Sequence, residues 1–110
     1  MNFQQVLAAL NELVGSEIVV QVAGADETPP VAFIWTGMLR AGMPDGLAEW
    51  IHGARWGKGA EVTYFGLDDS HGRGFYVSAA DFRGAHYEPL EGHDALVLDL
   101  GNIVLRVWAQ

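Results

Sequence analysis

The chain has no cysteine. That excludes disulfides, thiol nucleophiles and thiolate metal sites, and it suits the cytoplasm, the expected location. Positive charge is scarce: six Lys and Arg stand against fourteen Asp and Glu, for a net charge of −8 with the histidines neutral. A nucleic-acid backbone needs cationic contacts and would be repelled at long range, so nucleic acid is not an expected partner. No apolar run approaches the roughly 20 residues of a membrane helix. The first residues lack a basic start followed by an apolar core, so neither a membrane span nor a secretion signal is expected. Serine is confined to Ser16, Ser70 and Ser78, and none lies in a nucleophile-elbow sequence. The glycines form neither a GxGxxG after a strand nor a phosphate loop; Gly57-Lys58-Gly59-Ala60 lacks the upstream glycine such a loop needs. No internal repeat or low-complexity tract is present.

What is present is hydrophobic. Half of the 110 residues are apolar, which argues against disorder and for one domain over residues 1–110. The clearest local signal is ALVLDLGNIVLRVW at residues 95–108. Gly101-Asn102 is a two-residue hairpin signal, because both residues tolerate positive φ. Folding about that turn opposes Leu100 to Ile103, Leu98 to Leu105 and Leu96 to Val107, with all six on one face. Ala95, Val97, Asp99, Val104, Arg106 and Trp108 take the other face.

At the opposite end, Asn2 with Gln5 three residues on has the spacing of a capping box. Phe3, Val6, Leu7, Leu10, Leu13 and Val14 recur at helical spacing, and Gly15 offers the left-handed stop. This predicts a helix over 3–14. Residues 17–23 read as a strand with Ile18, Val20 and Val22 on one side. Residues 24–30 contain Pro29-Pro30 and read as a loop. Residues 31–40 read as a longer strand, apolar on both faces and therefore central, with a bend at Gly37. Residues 41–46 are expected to turn. Over 47–59, Leu47, Trp50, Ile51 and Ala54 fit a helical face while Gly53, Gly57 and Gly59 oppose one, so one or two helical turns and an irregular loop both remain open. Strand character returns at 60–67 and 75–78 around a polar turn at 68–74. A tight turn at 79–82, a short strand from 84 ended by Pro89, and a loop at 91–94 lead into the final hairpin.

The fold class is therefore α+β: an N-terminal helix, then a curved, mostly antiparallel sheet of five to seven short strands. In element order the chain resembles small Sm-like and SH3-like barrels, in which a helix can precede a curled sheet. That resemblance implies a closed barrel; it carries no family motif, and the Sm-like RNA role does not come with it.

Candidate binding residues crowd into one segment. Trp50, His52, Arg55, Trp56 and Lys58 bring aromatic area, an imidazole and two cations together among glycines, the make-up of a binding loop for an anionic or flat group. The same pattern is accounted for by Trp50 and Ile51 plugging a barrel end while the cations meet nearby carboxylates, and large aromatics more often supply core area in this way. Trp108 is the sixth candidate: with Val97 and Val104 it forms an apolar patch if the second hairpin face is open to water. Of the four tryptophans, any two lining a barrel mouth could hold a flat or greasy ligand. Asp68, Asp69 and His71, or His86, His93 and Asp94, have metal-ligand or acid–base chemistry, but three polar residues near a turn are more often turn formers. No catalytic residue, metal or cofactor is expected. The leading expectation is a small acidic, non-enzymatic binding domain contacting another protein, inhibitor- or immunity-like, on a basic partner surface. The alternatives are a small-molecule-binding β-barrel and a structural subunit that self-associates through exposed strand edges.

Overall fold

The computed structural model describes residues 1–24, 32–42, 62–68 and 74–110. Helix α1 spans Phe3–Leu13. Its capping box forms as the spacing predicts: the Gln5 amide donates to Asn2 Oδ1 and the Asn2 amide to Gln5 Oε1, each at 2.8 Å. The helix stops one residue before the apolar periodicity does. Val14 is already extended and Gly15 takes φ +90°, a value an L side chain resists. The Gly15 amide then donates to the Leu39 carbonyl at 2.8 Å, so the chain passes from the helix directly into a β-ladder.

Seven strands follow: β1 (Glu17–Gly24), β2 (Ala32–Ala41), β3 (Val62–Asp68), β4 (Gly74–Ser78), β5 (Gly84–Leu90), β6 (His93–Asp99) and β7 (Ile103–Ala109). They form one sheet in the order β4-β3-β2-β1-β7-β6-β5, with every pairing antiparallel. The first strand is the middle one. The helix-plus-antiparallel-sheet reading holds.

The closed barrel does not. An odd number of strands in an all-antiparallel order leaves the two edge strands, β4 and β5, running the same way. Parallel neighbours need a crossover of about a dozen residues. Only residues 79–83 join β4 to β5. That linker nonetheless forbids a flat sheet. Six inter-strand spacings would set the edges roughly 29 Å apart, whereas this stretch of chain spans about 20 Å at most. The sheet therefore curls until its edges approach, and leaves an unpaired seam. The start of α1 lies against the chain entering β5: Phe3 packs edge-on against Phe82 at 5.7 Å between ring centroids, and the N-terminal ammonium donates to the Ala85 carbonyl.

Local features follow from the same physics. The final hairpin adopts the predicted register, Leu98 opposite Leu105 and Leu96 opposite Val107. Only Gly101 of its two turn residues uses positive φ (+85°); Asn102 does not. Asp99 Oδ1 accepts the Gly101 amide at 2.9 Å and fixes the turn. The loop expected at 91–94 shrinks to Glu91-Gly92, whose φ values of +49° and +84° make a second two-residue turn, so His93 and Asp94 already belong to β6. Strand β5 runs through Pro89 to Leu90, which an edge strand permits because one side of its backbone has no ladder to break. Gly37 answers a packing need: a Cβ there would stand 3.3 Å from Leu67 Cβ across the β2–β3 pair.

The core fills the concave face. Val6 and Leu10 of α1 are fully buried with Ile18, Val20, Leu39, Phe65, Val77, Leu98, Leu105 and their neighbours. Phe65 stacks on Phe75 across the β3–β4 pair, with centroids 5.5 Å apart.

Candidate binding cavity

Alternation puts Val22, Leu105, Trp35 and Phe33 on the concave side, because Val22 pairs with both Phe33 and Leu105, and Trp35 lies two residues beyond Phe33. Part of this face is covered by α1. Another part is open. A cavity of about 440 Å³ lies there, bounded by Val22, Trp35 and Leu105, by Leu100, Asn102 and Ile103 at the β6–β7 turn, and by Gly74, Phe75, Tyr76, Ser78 and Asp81 along β4 and the turn after it. In strand order β4 and β7 are separated by three other strands. The curl alone brings them to one cavity.

Exposed apolar side chains stand here: Ile103 in the lining is 38 % exposed, and Phe33, outside the lining but the cross-strand partner of Val22, is 61 % exposed. The wall is mainly apolar, and its polar groups are few. Ser78 is buried, its carbonyl accepting the amides of Asp81 and Phe82 and its Oγ the Ala80 amide at 3.3 Å. This is turn geometry, and it accounts for the tight turn read at 79–82. Asp81 is exposed and forms no ion pair among the described residues.

The convex face is different in kind. His86, Val97, Arg106 and Gln21 stand in one cross-strand row, and Trp108 pairs with Val19. Val97 and Ala95 are buried, and Trp108, Val104 and Arg106 are half-buried, so Val97 is not part of an open apolar patch. Glu88 sits between His86 Nε2 and Arg106 Nε, each at 3.4 Å. The His86 contact, chiefly, holds its carboxyl below the usual carboxylate range; desolvation, next in size, opposes it, and the Arg106 guanidinium adds to the lowering. On β3, burial first and the neighbouring Tyr76 second push the Tyr64 phenol up. The Tyr64 hydroxyl oxygen is buried without a hydrogen-bond partner among the described residues.

Of the six residues singled out from sequence, only Trp108 can be placed, on the face opposite the cavity. Trp50, His52, Arg55, Trp56 and Lys58 lie outside the described residues, as do Asp69 and His71. Asp68 is taken by Arg40, whose Nη2 donates to Oδ2 at 2.7 Å. His93 and Asp94 are exposed at the start of β6. Among the described residues no group of three or more His, Asp or Glu converges as a metal site would require. Trp35, counted among tryptophans that could line a mouth, does line the cavity. Sequence reasoning missed Phe75, Asp81 and Asn102. The short linker between two edge strands was the signal that could have brought β4 to the hairpin tip.

Among the described residues no helix is long and apolar enough to cross a membrane. Comparisons with protein-family models, curated proteins and solved structures return no match.

Proposed function

We propose that this chain is a non-enzymatic binding domain that contacts another protein through the open part of its concave face. The observation that carries the reading is Phe33, a large aromatic residue 61 % exposed that pairs across the strands with Val22, a residue lining a mainly apolar cavity of about 440 Å³. An exposed aromatic next to a concave apolar wall is the usual composition of an interface anchor point. The surplus of acid, −8 over the chain, adds a preference for a basic partner and speeds encounter with it. The turn contacts of Ser78 fit a structural use of that hydroxyl better than a nucleophilic one.

The test is paired capture from native lysate at low salt, with the unaltered chain and with Phe33→Ser and Ile103→Ser. One partner, identified by mass spectrometry and lost with both substitutions, supports the reading. A strictly monomeric chain that retains nothing, or a partner retained equally by both variants, contradicts it. A second reading, a small apolar ligand in place of a partner's side chain, is favoured by the cavity's volume, which lies in the range of roughly 300–1,000 Å³ typical of small-molecule sites.

A further inference from the structure

The lining of the cavity indicates what kind of group enters it. Two aromatic residues on the concave face border it, Trp35 from β2 and Phe75 from β4, together with Asp81 at the turn after β4; the Tyr76 ring, next along β4, falls by alternation on the opposite face beside Tyr64. Asp81 is the one charged residue among the described lining residues. Aromatic faces and a carboxylate both attract positive charge. The opposite wall is aliphatic at Val22, Leu105 and Ile103, with the Asn102 amide its one polar side chain, too little to replace the water of a compact, strongly hydrated ion. A group that satisfies both walls is a cation carried on an apolar body. Arg83, two residues beyond Asp81, does not line the cavity. Its amide donates to the Asp99 carbonyl, and its side chain lies beside Gly101.

We propose that the cavity binds an organic ammonium group borne on an aliphatic or aromatic stem. The inference rests on the binding reading above and names its chemistry. Such a group can be a free amine or a lysine side chain of a partner protein; the recognition is the same.

The probes are benzylammonium, benzyl alcohol and benzoate, which share a ring and differ in charge, together with Nα-acetyl-lysine methylamide. Each is titrated into the full chain while the methyl resonances of Val22, Leu100, Ile103 and Leu105 are followed by NMR. Benzylammonium is expected to shift these methyls with a Kd about five- to tenfold below that of benzyl alcohol, the size of one exposed ion pair plus one cation–π contact. Benzoate should bind weakest. Asp81→Asn should abolish the preference for charge while leaving the benzyl alcohol Kd within about twofold, the behaviour of a rim substitution that leaves the apolar wall intact. If the lysine derivative binds more tightly than benzylammonium, the source is a partner's side chain; the reverse order assigns a free amine. Benzyl alcohol or benzoate binding as tightly as benzylammonium overturns the assignment of a cation and leaves the binding cavity standing. No methyl shift with any probe overturns both.

Discussion

The two parts of the concave face share one sheet and differ in what covers them. Under α1, Val6 and Leu10 meet Ile18, Val20, Leu96 and Val107, and all are buried. Toward the β6–β7 turn the same strands carry Val22 and Ile103 to an open cavity, with the buried Leu105 at its floor and the exposed Phe33 beside Val22. Strand alternation is unbroken between the two, so the residues are equally apolar in both. The covered part is made by a helix whose stripe is about three turns long; among the described residues, the open part begins where that stripe ends. Exposed apolar surface beside a cavity is the kind of surface that marks a binding site.

The comparison can be broken first at the covered part. Leu10→Ala should cost about 2–5 kcal/mol in urea denaturation, because a fully buried leucine leaves a cavity behind. Ile103→Ala at the open part should stay within about 0.5 kcal/mol of the parent, as exposed positions do. Equal losses at the two sites would mean that the open part is core. The next effect in size is Asn2→Ala, which removes the cap that orders the start of α1 and should cost about 1 kcal/mol, read as a lower melting temperature with less helical circular dichroism.

Tyr64→Phe sharpens the picture away from the cavity. Its buried hydroxyl has no partner among the described residues, so the substitution should leave stability unchanged or raise it by up to ~1 kcal/mol. Because the Tyr64 phenol is pushed up in the folded chain, its contribution is complete below the ordinary tyrosine range and is lost as pH climbs through the raised value. The variant should therefore hold its stability better in alkali, as followed by thermal melts across pH. Glu88 gives the smallest effect. Its carboxyl is held low, so its contribution is present above the ordinary carboxylate range and is lost as pH falls through the lowered value. Glu88→Gln should flatten the acid limb of the stability profile slightly, since solvent reaches His86 and Glu88 and screens their contact.

Most of the covered part could be read in the sequence. The Asn2–Gln5 spacing, the stripe from Phe3 to Leu13 and the mirror arrangement about Gly101-Asn102 are local patterns, and local hydrogen bonds and side-chain periodicity decide them. The open part could not be read in the same way. Phe33 and Ile103 fall on the concave face by alternation, but their exposure depends on how far α1 reaches. The cavity depends on the curl of seven strands, set by a short linker between edges that must run parallel. Reading residues 31–40 as apolar on both faces suggested cover on both sides. The strand is interior to the sheet, yet Ile34 on its convex face is 59 % exposed. Pairing in the plane of a sheet and cover above it are separate properties, and hydrophobic pattern reports only the need for cover.

The most direct measurement is intermolecular nuclear Overhauser contact between dissolved benzene and assigned methyl groups of the full chain. The account predicts cross-peaks to Val22, Ile103 and Leu105, and none to Val6 or Leu10 beneath the helix. Contacts to Val6 and Leu10 as strong as those to Ile103, or contacts to none of the five, would contradict it.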